Sequence, residues 1–142
     1  MNNVITKEQI LEEAKVYRSL SNDITDSWNK VLKWRHISQA RLSRITGISE
    51  KTIGFIINGQ KSGSFNNVVL MCLGANLPGE ISEHLLRLSG YTFMFHNEDQ
   101  IIYHHLIWYK HNESLPEIRN YLREIGSDNY MFFPAITENM EL

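Results

Sequence analysis

The sequence predicts an all-α protein, and three observations carry that prediction. Apolar residues recur at spacings of three and four in one segment after another. Two capping boxes, Thr6 to Gln9 and Ser114 to Glu117, stand in front of such stripes. Serine before and glycine after a short apolar run, as at Ser38 and Gly47, supplies the start and stop chemistry of helices.

The elements follow in order. The first helix opens at the Thr6 box and carries Ile10, Leu11, Ala14, Tyr17 and Leu20 as an apolar stripe, until Ser21-Asn22-Asp23 breaks it. A second runs from about Asp26 to His36, with Trp28, Val31, Leu32 and Trp34 available for packing. Ser38 caps a third. Leu42 and Ile45 are its inward contacts, and small Ala40 and Ser43 permit close approach. Gly47 follows its last turn, where a left-handed backbone is inexpensive only for glycine. Ile48 plugs the corner, and Ser49 caps a fourth helix with Ile53, Ile56 and Ile57 on its buried face. Asn58-Gly59 ends it.

Gln60 to Ser64 reads as a loop, and Phe65 to Leu73 as an apolar helix central to the fold. Pro78-Gly79 marks a turn before a helix from Glu80 to Ser89, with Ile81, Leu85 and Leu88 inward and Gly90 beyond its end. Glu98 to Lys110 contains IIYHHLIWY, helical by length and without strict alternation. The last helix follows Ser114, with Pro116 in its first turn, Ile118, Tyr121, Leu122 and Ile125 as its stripe, and Gly126 at its end. From Ser127 the tail, with Tyr130, Phe132, Phe133 and Pro134, has no period and reads as a strap over a neighbouring surface.

Composition narrows the class. Hydrophobic content of 42% and charged content of 21% are those of an ordinary globular protein, and 142 residues allow a real core. No apolar run approaches the roughly 20 residues of a membrane span, and no signal-peptide pattern is present. The lone Cys72, in VVLMCLG, reads as a buried structural thiol. A cytoplasmic protein is expected. Net charge of −2 hides a strong asymmetry. Residues 24–65 hold seven basic side chains against two acidic ones, about +5, whereas everything from Asn66 onward sums to about −6.

The stretch Ser38 to Gly59, SQARLSRITGISEKTIGFIING, carries the functional signal. It resembles the Cro and phage-repressor class of helix-turn-helix DNA-binding domains, the XRE or lambda-repressor-like family. The matching positions are Ser38, Gln39, Leu42, Ser43, Gly47, Ile48, Ser49, Ile53, Gly54, Ile56, Asn58 and Gly59. Many members carry Glu where Ile57 stands; others have an aromatic residue, so Ile57 reads as extra core. The resemblance implies a helix-turn-helix domain over residues 24–90, preceded by a helical arm at 1–23 and followed by a helical region at 91–142. Leu85-Leu86 with Gly90-Tyr91 resembles the link that joins this domain to a helical pair in small bacterial regulators.

That resemblance implies a sequence-specific transcriptional regulator, a repressor, that binds double-stranded DNA as a homodimer. The helix from Ser49 would point its first residues at base edges in the major groove. Glu50, Lys51 and Thr52 lead the readout set, lysine favouring guanine and a carboxylate accepting from cytosine. Gly54 would let the helix approach closely, and Phe55 would touch a thymine methyl. Gln39, Asn58 and Lys61 would hold phosphates, supported by Arg41 and Arg44. Each has a second reading. Lys51 and Lys61 also fit plain solvated charges, Phe55 fits core or a dimer contact, and Arg41 and Arg44 fit pairing with the acidic half. Glu50 also fits its helix N-terminus electrostatically.

The aromatic-rich second half is the expected place of dimerisation, beside ordinary core formation. An alternative class keeps the fold but acts on another protein, as antitoxins and phage-encoded nuclease inhibitors such as anti-CRISPR proteins do. The acidic, aromatic-rich C-terminal half would then be the partner-binding surface. Catalysis has little support: no phosphate-cradling glycine loop, nucleophile elbow or catalytic His/Cys arrangement is present. His104 and His105 point about 100° apart on a helix, with His111 six or seven residues on, so no metal set forms and no cofactor is implied.

Overall fold

The computed structural model describes residues 4–60 and 63–136, and among them finds eight α-helices, one 3-10 turn and no strand. The protein is all-α. Helix α1 (Lys7–Ser19) begins at the capping box, with Thr6 and Gln9 each accepting from the other's backbone N–H. It lies on α2 (Ile24–Arg35) through polar contacts. The Trp34 Nε1–H donates to Glu12 Oε1 at 2.7 Å, and the Lys30 ammonium donates to the Ser19 carbonyl at 2.7 Å. The stripe expected to bury α1 does not do so: no residue of the helix is buried, and Ile10 and Leu11 are 55% and 58% exposed. Of that stripe only Ala14 and Leu20 are half-buried, and Val16, outside it, packs against the core beside Leu20, because the hydrogen bonds from α2 fix which face turns inward.

Helix α2 starts two residues earlier than its apolar pattern suggests. Asp23 caps it by accepting from the Asp26 N–H, after which Trp28, Val31 and Leu32 enter the core. Two eight-residue helices follow, α3 (Gln39–Thr46) and α4 (Glu50–Ile57), both packed against neighbours of the core. Helix α5 (Phe65–Gly74) is the central element, and every residue from Val68 to Gly74 is buried. An all-round apolar sequence such as VVLMCLG is stable only when surrounded on all sides. Helix α6 (Gly79–Leu88) buries Ile81 and Leu85 as expected, but His84 and Leu86 go in while Leu88 is only half-buried. The His84 Nε2–H donates to the Ser21 carbonyl at 2.7 Å, which supplies the partner that a buried imidazole needs.

Helices α7 (Glu98–Tyr109) and α8 (Leu115–Glu124) share the same core as the preceding elements. Tyr103, Leu106 and Ile107 point inward from α7 at spacings of three and four, and Leu115, Ile118 and Leu122 do so from α8. A 3-10 turn (Asp128–Phe132) folds the tail back onto α8. There the Arg119 guanidinium donates to the Phe133 carbonyl at 2.7 Å, and Phe133 is buried. The expected strap therefore covers this chain's own last helix.

Candidate nucleic-acid interface

The site is built from short-range chemistry at each end of α3 and α4. The Ser38 hydroxyl accepts from the Arg41 N–H at 3.0 Å and starts α3. Gly47 ends it with φ of 79°, and an added Cβ there would meet nothing within 4 Å. Glycine is needed at this corner for its backbone, not for space. Two hydroxyls tie the turn down: Ser43 Oγ donates to the Ile48 carbonyl at 2.5 Å, and Thr46 Oγ1 accepts from the Ile48 N–H at 3.1 Å. Ser49 then caps α4, accepting from the Thr52 N–H at 3.2 Å while its own hydroxyl donates to Thr52 Oγ1 at 2.9 Å.

Ile53, Ile56 and Ile57 anchor α4, and burying each such side chain contributes about 1.5–3 kcal/mol. Ile57 is core, at 0% exposure. The far end of α4 is held by α2, where Thr25 Oγ1 donates to the Ile57 carbonyl at 2.7 Å. This anchoring leaves the opposite face outward. Ser49, Glu50, Lys51 and Asn58 are exposed along it, Thr52, Gly54 and Phe55 are half-buried, and Arg44 is exposed on α3. Gln39 lies beside the middle of α4, its Oε1 3.7 Å from where a Gly54 Cβ would be. The Lys51 ammonium sits 5.8 Å from the centre of the Phe55 ring. Gln39, Ser49, Lys51, Gly54 and Phe55 thus belong to one region spanning both helices.

Arg41 is placed differently. It lines a cavity with Arg35, Ile37, Asn76 and Ser114, beside the start of α8. Lys61 lies outside the described residues. The cavity's other cation was not singled out by sequence: Arg35 stacks on the Trp34 ring at 4.0 Å and donates to the Asn76 carbonyl at 2.7 Å, and burial lowers its pKa. Asn76, with φ of 54°, also donates its amide to the carbonyls of His111 and Glu113. No local pattern announces such a bridge, because it joins segments more than thirty residues apart.

The histidines diverge into separate environments. His104 lies 3.8 Å from Glu83 on α6, whereas the His105 ring nitrogen meets the Tyr121 hydroxyl of α8 at 2.8 Å. His111 is buried with Nδ1 2.9 Å from the Ile107 carbonyl. Among the described residues no three His, Cys, Asp or Glu side chains gather as a metal site. Cys72 is buried, and burial pushes its thiol up to about 12. No helix among the described residues is long and apolar enough to cross a membrane. No protein-family model, no curated protein and no solved structure matches this chain.

Proposed function

We propose that the chain is a cytoplasmic, sequence-specific DNA-binding repressor of the Cro and phage-repressor class, acting as a homodimer. One observation supports this reading above the others. A serine-capped helix, a left-handed glycine corner and a second serine-capped helix are anchored by three isoleucines, and the outward face carries Glu50, Lys51 and Asn58. That is the geometry a recognition helix needs, with its N-terminal residues outermost. In this reading Lys51 reads guanine, Glu50 accepts from cytosine, and Phe55 meets a thymine methyl. Gln39, Asn58 and Lys61 hold phosphates, supported by Arg41 and Arg44. Thr52, half-buried with its Oγ1 accepting from the Ser49 hydroxyl, completes the readout set in this reading.

Selection of bound duplexes from a random pool tests the proposal. A palindrome with half-sites about 34 Å apart is expected. Lys51→Ala should cost about 1–3 kcal/mol on that site and relax preference at one base pair. Failure to enrich any sequence at low salt would overturn the reading.

A second reading draws on the C-terminal region, where Phe95 and Tyr109 stay exposed, as do the acidic Glu98, Asp99, Glu117 and Glu124. It makes the chain an inhibitor of another protein. Replacing Arg44 and Lys51 by Ala abolishes the activity of a repressor and leaves that of such an inhibitor intact.

A further inference from the structure

Helix α1 is well capped yet buries no residue, so its own packing does little to hold it. Its outward side is unusual in composition. At 3.6 residues per turn, Lys7, Ile10, Leu11, Ala14 and Arg18 fall within roughly a 100° arc, with Lys15 at the margin. Glu12 is turned toward Trp34, and Glu13 is half-buried. The arc is therefore apolar and cationic, and Ile10 and Leu11 are more than half exposed within it.

The opposite character occurs at the far end of the chain. Residues 97–99 and 126–129 line one groove, so the start of α7 and the end of α8 are adjacent. Around it Glu98, Asp99, Glu124 and Asp128 are exposed, with Ile101 and Ile125 exposed beside them. Three cations and two large apolar side chains on α1 thus have a counterpart of four acids and two apolar side chains.

We infer that α1 of one copy docks on the acidic α7–α8 end of a second copy of this chain. Each copy carries both halves of the contact, so a two-fold pair forms it twice and doubles the buried area. That matters because one helix face falls short of the roughly 1,200 Å² that a stable interface needs. The contact gives a location to the homodimer of the preceding reading, but no part of it depends on DNA.

Sedimentation equilibrium of the full chain without DNA tests it. The wild type should be a dimer. The set Lys7→Glu, Lys15→Glu, Arg18→Glu should weaken dimerisation at least about tenfold, and so should the set Glu98→Lys, Glu124→Lys, Asp128→Lys. A chain carrying both sets should dimerise again, because the charges are exchanged rather than lost. Leu11→Glu should leave a folded monomer, checked by circular dichroism. A monomeric wild type, a dimer indifferent to Leu11→Glu, or no recovery in the combined chain would each overturn the inference. A dimer with this contact that selects no DNA would sink the DNA reading alone.

Discussion

At Gly79 an added Cβ would lie inside the van der Waals envelope of the Trp108 ring. That ring cannot swing away, because its Nε1–H donates to Glu83, one turn along the same helix. Gly79 is thus a close-approach residue that lets α7 cross α6, although in sequence Pro78-Gly79 looks like a turn signal. Gly54 differs: the nearest atom to its added Cβ is Gln39 Oε1 at ordinary contact distance. The same substitution should therefore have opposite signs at the two sites. Gly79→Ala should destabilise by about 1–3 kcal/mol through overpacking. Gly54→Ala should stabilise by about 0.5–1 kcal/mol by removing backbone entropy from a helix interior. Urea unfolding measures both, and equal shifts would show that the Trp108 contact yields freely.

At the scale of elements, legibility tracked how local the determining chemistry was. Capping boxes, the Gly47 corner and the isoleucine spacing of α4 each lie within four residues, and the structure follows them closely. The apolar stripe of α1 misleads because Ile10 and Leu11 satisfy a helical period that nothing in the described fold covers. Nothing local marks His84 for burial, since its partner is a carbonyl 63 residues away. The junction at the end of α7 is of this non-local kind and has a pH consequence. The Ile107 carbonyl only accepts, so the His111 Nδ1 carries the proton, and Nε2 is buried with no protein partner among the described residues. Burial, with Arg35 nearby, holds the imidazole below its usual pKa. The unfolded chain takes up a proton near pH 6.5 and the folded one resists it, so stability falls as pH drops through that value. Between about pH 7.5 and 5.5 the melting temperature of wild type should fall more than that of His111→Gln. Parallel curves would exclude a role for His111.

On the scale of the whole molecule, net charge of −2 argues against a nucleic-acid ligand until it is divided along the chain. The excess of about five positive charges lies in residues 24–65, which include α3 and α4, and the acidic excess begins beyond them. On the proposed reading, a polyanion is drawn to this segment ahead of the acidic remainder of the chain. The dependence of binding on salt separates this arrangement from an averaged charge. Each phosphate neutralised contributes roughly −0.9 to the slope of log affinity against log salt. Arg44→Ala, on the outward side of α3, should make that slope shallower by about one and weaken all sequences alike. Arg123→Ala removes an equal charge from α8, where the guanidinium stacks 5.4 Å from the Tyr130 ring. It should leave the slope unchanged, since that residue stands in the acidic half. If the two variants lowered the slope equally, DNA would be responding to total charge, and α3 and α4 would lose their claim to the contact.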